Sequence, residues 1–349
     1  MPSQNTTAAF SNPVYDSVRR RAGLFDKSAE GRLRVTGPDR AAWLQGLLTN
    51  DVALAGGQGC YAAYLTPQGR MITDVRVLEL GDAMLLDVPG PLVESLLARL
   101  DLLIFTEEVQ LQNVTGSIRR SALHGPAAAR LLAEPAAIAD EERLSALGEH
   151  ESIAHAGAVG PIVVAASRAL GMPGFDIYAD AVDLARIDEA LLAAGAVRGG
   201  DEVWAQLRVE TGIPAFGADL DEHTLPLEAG IEDRAISLTK GCYVGQEVII
   251  RVLHRGGGRV GRRLVGLLLA ADSSGRSAAG HGDELVHGER AAGRITSLVM
   301  SPALNRPIAL GYVYREAAEP GTVLAVRGAD RETQAEVTTL PFVDHEQTW

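Results

Sequence analysis

The stretch "GCYAAYLTPQGRMITDVRVLEL" (residues 59–80) determines which class of fold the chain can adopt. Its first part is typical of a β-strand that ends at Leu65, and "TPQG" has the residue types of a tight turn. The return from Ile72 to Leu80 is rich in β-branched residues, which favour strands. The stretch therefore predicts an antiparallel hairpin.

Segments on either side of this hairpin have helical periodicity instead. Residues 35–52, "VTGPDRAAWLQGLLTNDV", have Pro38 near a helix start, where its missing N–H costs nothing, followed by apolar residues at helical spacing. Residues 90–103 and 181–196 are amphipathic in the same way, and Gly195 is typical of a helix C-terminus. Helices mixed with hairpin-like strands predict an α+β body.

Beyond about residue 256 the helical periodicity nearly disappears. Short strand-like pieces such as "RRLVGLLLA" (262–270) and "GTVLAVRG" (321–328) follow one another, separated by Gly, Pro and polar turns. Strand signals at such close spacing predict a small antiparallel barrel or sandwich. We therefore expect two units, with the body over residues 10–255 and the β-domain over residues 256–349.

Composition and charge exclude several classes of protein. The chain has 32 Lys and Arg against 45 Asp and Glu, and a net charge of −13 argues against general binding of nucleic acids or anionic membranes. Two cysteines are too few for a disulfide framework, and no apolar stretch is long enough to span a membrane. The polar N-terminus lacks the order of a signal peptide. These features predict a soluble, cytoplasmic protein.

One segment is locally basic. "RVLHRGGGRVGRR" (251–263) has five arginines and no acidic residue. A solvated loop explains this pattern, and so does a binding site for a multiply anionic ligand. Its "GGGRVG" portion lacks the preceding strand and following helix of a dinucleotide site, so we exclude that kind of site.

Glu210 is a candidate binding residue because its position opposes a local preference. Residues 201–220 predict a helix that begins near Asp201 and stops at Gly212. Glu210 then lies in the last turn, where the helix dipole disfavours a carboxylate. A buried carboxylate can accept two adjacent N–H groups, as on an aminopyrimidine ring. An exposed glutamate paired with Arg208 is the alternative.

The segment "KGCYVGQE" (240–247) brings a lysine and a thiol close together. If Cys242 lies at a helix N-terminus beside Lys240, both the dipole and the ammonium lower the pKa of the thiol. It would then be a nucleophile, a redox-sensitive thiol or a soft-metal ligand, whereas a half-buried structural cysteine is the alternative. The spacing of cysteines and histidines predicts no resident metal site or iron–sulfur cluster.

Five stretches of the chain, in order, resemble the YgfZ/GcvT family. That family contains the aminomethyltransferase (T-protein) of the glycine cleavage system and the folate-dependent YgfZ proteins of iron–sulfur enzyme maintenance. K-G-C-Y-x-G-Q-E at 240–247 resembles the YgfZ branch, since T-proteins have an acidic residue in place of this cysteine. The stretches are "LQGLLTNDV" (44–52), "GRMITDVRV" (69–77), "RVETGIPAFGADL" (208–220), "LPLEAGIEDRAISLTKGCYVGQEVIIRVLHRG" (225–256) and, in the C-terminal barrel, "GRITSLVMSPALNRPIALGYV" (293–313).

The resemblance implies a three-lobed, GcvT-like body with two intertwined lobes, a C-terminal β-barrel and a central channel that binds tetrahydrofolate. It implies that Glu210 contacts the pterin and that Asp74 works near the reactive nitrogens of the folate. Thr73 stands where T-proteins have the first of two paired aspartates, which distinguishes this chain from T-proteins. Asn50 and Asp51, in the "TNDV" turn, are implied to shape the pocket, although a turn that ends a helix explains them equally well, and Lys240 is a further candidate binding residue.

The glutamate tail of the folate needs cationic partners, and forked guanidinium groups suit its carboxylates. Arg251 and Arg255, in the basic segment, are the residues expected to meet this tail.

The expected function is that of a YgfZ-type, tetrahydrofolate-binding protein that supports the assembly or repair of iron–sulfur enzymes. Cys242 would be its exposed thiol, iron–sulfur client proteins its partners, and a monomer its expected state. One alternative is an aminomethyltransferase of the glycine-cleavage type. Another is a non-catalytic scaffold that binds folate as a signal, so whether the chain is an enzyme stays open at this point.

Overall fold

A computed structural model describes residues 12–134, 136–254, 257–329 and 331–345. The strands of these residues are β1 Gly23–Asp26, β2 Gly31–Thr36, β3 Gly59–Leu65, β4 Met71–Glu79, β5 Ala83–Val88, β6 Gln110–Asn113, β7 Arg119–His124, β8 Ser152–Ala156, β9 Pro161–Ser167, β10 Gly174–Ala179, β11 Val197–Arg198, β12 Arg262–Leu269, β13 Glu284–His287, β14 Arg290–Ser301, β15 Arg306–Tyr314, β16 Val323–Arg327 and β17 Glu332–Thr338. The α-helices are α1 Pro13–Arg20, α2 Arg40–Gln45, α3 Val93–Asp101, α4 Ala128–Ala133, α5 Glu141–Ser145, α6 Ala181–Ala193, α7 Asp201–Thr211, α8 Pro226–Ala229, α9 Glu232–Ala235 and α10 Gln246–His254.

The first sheet has five strands in the order β3-β4-β5-β2-β6. Its β3–β4 pair is the predicted hairpin, antiparallel and in a register that places Ala63 opposite Asp74. Apolar side chains of α2 and α3 pack on one face of this sheet, where Trp43, Leu96 and Val77 share a buried core. The polar residues that alternate with this core along β4 point to the opposite face.

The second sheet has six strands in the order β11-β1-β7-β10-β9-β8. Helices α4, α5 and α6 cover one face of it and bury residues such as Leu131, Leu144 and Ile187 against the strands. Strand β1 belongs to this sheet, although β2 to β6 build the first one. The chain therefore crosses between the two sheets before either of them is complete.

The C-terminal strands close into a six-stranded antiparallel barrel in the order β12-β15-β14-β13-β16-β17. Its interior is apolar, with Leu267, Leu285 and Leu324 buried. The predicted α+β fold with a C-terminal antiparallel β-barrel is thereby confirmed.

Helix α7 connects the body with the barrel. Val203 and Leu207 pack with α1 and strands of the second sheet, whereas Val209 packs against Ile308 of the barrel. The helix ends, as predicted, at Gly212, whose φ of +78° suits a residue without a side chain.

One predicted segment differs from the structure. The helix predicted within residues 35–52 is shorter than its apolar pattern, since α2 ends at Gln45 and the chain then turns back toward β3. Within the described ranges, none of the helices has the length and apolar character needed to cross a membrane.

Candidate functional site

A cavity of about 230 Å³ lies between the two sheets and the segment from α7 to α9. The first sheet supplies Tyr61, Asp74 and Arg76, and the second supplies Arg120 and Ser167. Because both sheets turn their polar faces toward this space, charged side chains line it. The helical segment adds Trp204, Arg208, Phe216 and Arg234.

Asp74 reaches the cavity because of its place in the alternation of β4. Thr73 is only 1% exposed and lies on the core side of the strand, while Asp74 lines the cavity. Thr73, which the resemblance places at the first of the two paired aspartates of T-proteins, therefore does not face the cavity. The acidic residue that does face it is present.

The environment of Asp74 changes its protonation behaviour. Burial raises the pKa of this carboxyl to about 6, although a hydrogen bond from the Tyr61 hydroxyl to Oδ2, at 2.8 Å, favours the ionised form. A carboxyl with a pKa close to neutrality can both release and accept a proton in the physiological range. Asp74 is therefore the candidate proton-transfer group of the cavity.

A buried network of charges joins the two sheets behind the cavity. Arg120 pairs with Asp87 of the first sheet at 2.5 Å and with Asp176 of the second at 2.8 Å. Arg76 of the first sheet also pairs with Asp176, and the Tyr178 hydroxyl donates to Asp87 at 2.8 Å. Two arginines and two aspartates balance in charge, and the arginines hold the pKa of Asp176 well below its usual range.

No local sequence pattern predicts this network. Its members come from four strands that are separated by up to about a hundred residues, so no local pattern connects them. The available signal was the presence of arginines and aspartates inside strands that are otherwise apolar, as in "DVRVLEL" (74–80).

The side chains of the cavity wall suit a planar, polar ligand. Trp204 is fixed by an edge-to-face contact with Phe25, at 5.1 Å between ring centroids, and by the ammonium of Lys27 at 3.8 Å from its ring. Within the described residues, Oδ1 of Asp87 and Nδ1 of His150 have no hydrogen-bond partner, although both residues line the cavity. Aromatic surface combined with spare polar atoms fits a heteroaromatic ring that carries N–H groups.

Glu210 lies outside this wall. Its carboxylate is fully buried and accepts hydrogen bonds from the Tyr15 hydroxyl at 2.6 Å, from the Ser301 hydroxyl, and from the backbone N–H of Ala303. Nε2 of His345 lies 3.3 Å from it. Arg208, which precedes Glu210 by two residues on α7, does line the cavity. Because successive residues of a helix are rotated by about 100°, Glu210 points away from the cavity. In this structure Glu210 links α1, the barrel and the C-terminal segment.

Asn50 and Lys240 act on the backbone around the cavity. The Asn50 amide donates to the carbonyls of Tyr61 at 2.8 Å and Arg234 at 3.0 Å, which are both wall residues. The Lys240 ammonium donates to the carbonyls of Gln45, Leu48 and Asn50 at 2.6–3.0 Å. The two side chains thus hold the wall and the turn after α2, and neither lines the cavity itself.

Replacing Lys240 by methionine should therefore lower the stability of the fold. The change leaves three partly buried carbonyls without their donor, which costs about 1–3 kcal/mol in the free energy of unfolding. Urea denaturation followed by circular dichroism measures it, with the exposed Glu247→Gln in the same segment as control. An unchanged urea midpoint together with weaker ligand binding would contradict this structural role.

Cys242 is exposed, and it does not lie at a helix N-terminus, because α10 begins only at Gln246. The rest of its segment is structural. Tyr243 is buried beside Leu65, and a Cβ on Gly245 (φ +84°) would come within 2.6 Å of the Thr66 carbonyl. The segment 240–247 therefore packs against the β3–β4 hairpin, which also carries Asp74.

The basic segment contributes little to the described wall. Arg251 is exposed on α10 and does not line the cavity, and Arg255 lies outside the described residues. Arg234, for which no local pattern predicts a role, lines the cavity, and its side chain is 38% exposed. Cys60 is buried, which raises the pKa of its thiol to about 12. Among the described residues, no group of three or more His, Cys, Asp or Glu side chains could hold a metal ion.

Comparisons with known proteins agree over nearly the whole chain. The model of the GCVT N-terminal domain matches residues 4–240, and that of the glycine cleavage T-protein C-terminal barrel domain matches residues 262–344. The aminomethyltransferase of Rubrobacter xylanophilus is 35% identical over 329 residues, covering 94% of this chain and 85% of the relative. The aminomethyltransferase of Nostoc sp. is 30% identical over 341 residues, covering 94% and 86%.

A solved structure has the same fold. The glycine cleavage system aminomethyltransferase T from Bartonella henselae superposes with a TM-score of 0.84, covering 95% of this chain and 89% of that one. The two sequences are 23% identical, so this similarity concerns the fold alone.

Proposed function

This chain belongs to the family of the glycine cleavage T-protein, and from that premise we propose that its cavity binds tetrahydrofolate for one-carbon transfer. The observation that carries the proposal is Asp74. It is an acidic side chain in the wall of the cavity between the two sheets, with a pKa raised to about 6. The names of the relatives support an aminomethyl group as the one-carbon source.

Each residue of the wall has a part in this proposal. Tetrahydrofolate, when bound, supplies the ring nitrogens that carry the one-carbon unit. Asp74 holds or accepts the proton that such a transfer moves, and the hydroxyl of Tyr61 orients its carboxylate. Trp204 offers a fixed aromatic surface for a planar ring, and the paired Arg76 and Arg120 keep the wall rigid.

Calorimetric titration with tetrahydrofolate tests the binding. We expect the wild type and Cys242→Ala to bind equally, because Cys242 does not line the cavity. Replacing the wall residue Trp204 by alanine should weaken binding by about 1–3 kcal/mol, the contribution of a stacked base-like ring. Circular dichroism of the variant controls for folding. No heat of binding with folded wild-type protein would contradict the proposal.

A second candidate function rests on Cys242. A YgfZ-type protein that supports the assembly or repair of iron–sulfur enzymes would use an exposed thiol, and Cys242 is exposed on a segment that packs against the hairpin of Asp74. Iron–sulfur client proteins would then be its partners. Both candidate functions use the proposed folate-binding cavity. They differ in the purpose of the one-carbon chemistry, which is glycine cleavage in the first and the maintenance of iron–sulfur enzymes in the second.

Two assays separate the candidates. A glycine-cleavage-type enzyme releases ammonia from an aminomethyl-lipoyl carrier in the presence of tetrahydrofolate, and Cys242→Ser should leave that activity unchanged. A YgfZ-type protein restores iron–sulfur enzyme activities in a strain that lacks the gene, and Cys242→Ser should reduce this restoration. Full restoration by Cys242→Ser would contradict a role for the thiol.

A further inference from the structure

Residues 213–219, here called the wall loop, follow α7 and supply one side of the cavity. The first four of them, from Ile213 to Phe216, all line that space. The wall loop belongs to none of the helices and strands, so regular backbone hydrogen bonding does not fix its position. The contacts that hold this loop therefore decide the shape of one side of the cavity.

One buried carboxylate holds the wall loop. Oδ2 of Asp219 accepts hydrogen bonds from Nη1 of Arg208 at 2.6 Å and from the backbone N–H of Ala215 at 3.1 Å. The same nitrogen of Arg208 donates to the carbonyl of Ile213 at 2.7 Å. The Arg208–Asp219 pair therefore fixes the part of the loop that lines the cavity.

The C-terminal barrel completes this arrangement, although none of its described residues lines the cavity. The hydroxyl of Thr296 donates to Oδ1 of Asp219 at 2.6 Å, and Nη2 of Arg208 donates to the hydroxyl of Ser297 at 2.8 Å. Both hydroxyl residues are buried. Two neighbouring residues of β14 thus each contact one member of the buried ion pair.

A β-bulge makes this double contact possible. Successive side chains of a regular strand point to opposite faces, so two neighbours cannot both face α7. The register of β14 with β15 shifts between Ile295 and Ser297, which makes Thr296 the extra residue of a bulge. Ile295 and Leu298, which flank the bulge, both pack in the barrel interior. The two hydroxyl residues between them consequently both face outward, toward α7 and the wall loop.

We propose that Thr296 and Ser297 are positioning residues, through which the barrel sets the position of the wall loop and thereby the affinity of the cavity for its ligand. Neither residue contacts the ligand. They hold the carboxylate of Asp219 and the guanidinium of Arg208 in the orientation that keeps the loop in place. The identity of the ligand rests on the proposed function, whereas the contact between barrel and loop rests on the hydrogen bonds alone.

Removing the two hydroxyls should release the loop without opening the barrel. Valine has nearly the shape of threonine, but at position 296 it leaves Oδ1 of Asp219 without this donor in a residue that is only 3% exposed. The carboxylate can then turn toward other donors, which disturbs its hydrogen bond with the N–H of Ala215. The barrel interior keeps its packing because both hydroxyls lie outside it.

Hydrogen–deuterium exchange of the ligand-free protein tests the positioning. The double variant Thr296→Val, Ser297→Ala should raise the exchange of the amides in residues 215–220 by about 5-fold or more, while β12 and β17 exchange as in the wild type. Thr296→Ser keeps the hydroxyl and should exchange like the wild type. Unchanged exchange in the wall loop, or equal increases throughout the barrel, would overturn the proposal.

Calorimetric titration with tetrahydrofolate tests the consequence for the cavity. The double variant should bind about 2-fold to 30-fold more weakly than the wild type, the range typical of residues that act on a site without touching its ligand. Thr333→Val makes the same chemical change at a half-buried residue of β17, outside these hydrogen bonds, and should leave the affinity unchanged. Leu324→Val, in the barrel interior, controls for a general loss of barrel stability.

The outcomes separate the positioning from the proposed function. An unchanged affinity in the double variant would overturn the proposal, and so would an equal loss in Leu324→Val at the same urea midpoint, because barrel stability alone would then explain it. Failure of the wild type to bind tetrahydrofolate would overturn the proposed function, while the exchange experiment would still decide whether the barrel positions the wall loop.

Discussion

Replacing Asp74 by asparagine should slow one-carbon transfer by about 10²- to 10⁴-fold and at the same time make the protein more stable at neutral pH. The substitution keeps the size of the side chain and removes its ability to exchange a proton. General acid–base groups contribute about 10²- to 10⁴-fold to the rate, so we expect a loss in that range with binding largely retained.

The gain in stability follows from the raised pKa. The Asp74 carboxyl has a pKa of about 6 in the folded protein, against about 3.9 in an unfolded chain. Between these values the folded state binds more protons, so the stability falls as the pH rises from about 4 to about 6. Above that window the ionised, buried carboxylate carries a penalty on the order of 1–3 kcal/mol, which asparagine does not have.

Thermal unfolding at several pH values, together with single-turnover assays, measures both effects. Wild type and Asp74→Asn should be nearly equal in stability at low pH and separate toward neutrality. Asp82→Asn is the matched control, since Asp82 is 77% exposed and lies in a surface ion pair. An Asp74→Asn protein that is less stable at neutral pH, or that keeps full activity, would contradict the proposed role.

Replacing Asp176 by asparagine should destabilise the protein by about 3–5 kcal/mol, because it removes one partner of a buried charge network. The two arginines, Arg76 and Arg120, whose side chains are only 10% exposed, would then be left with the single carboxylate of Asp87. Since the arginines lower the pKa of Asp176, this destabilisation is present above a pH of about 4 and shrinks as the pH falls below it.

Denaturant unfolding at neutral pH checks this expectation. Asp82→Asn breaks the ion pair of Asp82 with Arg34, where the N–O distance is 2.7 Å, yet its exposure limits the loss to about 1 kcal/mol. The contrast between the two variants isolates the effect of burial. Equal, small losses in both would show that the network between the sheets contributes little to stability.

Local patterns in the sequence account for most of the elements. The turn residues "TPQG" (66–69) and the β-branched run after them predict the β3–β4 hairpin, and Gly212 correctly ends α7. The close spacing of short strands predicts the barrel. These features depend on neighbours within about ten residues, which is the range over which propensity and turn chemistry operate.

The positions of polar side chains depended on contacts that no local pattern contains. The position of Glu210 in the last turn of its helix suggests that it binds a ligand. In the structure its partners are instead side chains of α1, of the barrel and of the C-terminal segment. The ammonium of Lys240 donates to carbonyls almost 200 residues away in sequence, so its partners lie outside the segment that contains it. The same holds for Arg234, which lines the cavity and whose guanidinium lies over the ring of Tyr61.

The sequence by itself thus determined the α+β class, the hairpin, the C-terminal barrel and the presence of an acidic residue at position 74. The tertiary structure alone decided that Asp74 faces a cavity while Thr73 and Glu210 do not, and that arginines of two sheets meet there. The physical reason is that strand alternation and helix phase fix which side chains share a face, whereas the packing of distant elements decides what that face meets. Burial then sets the pKa values on which the proposed chemistry depends.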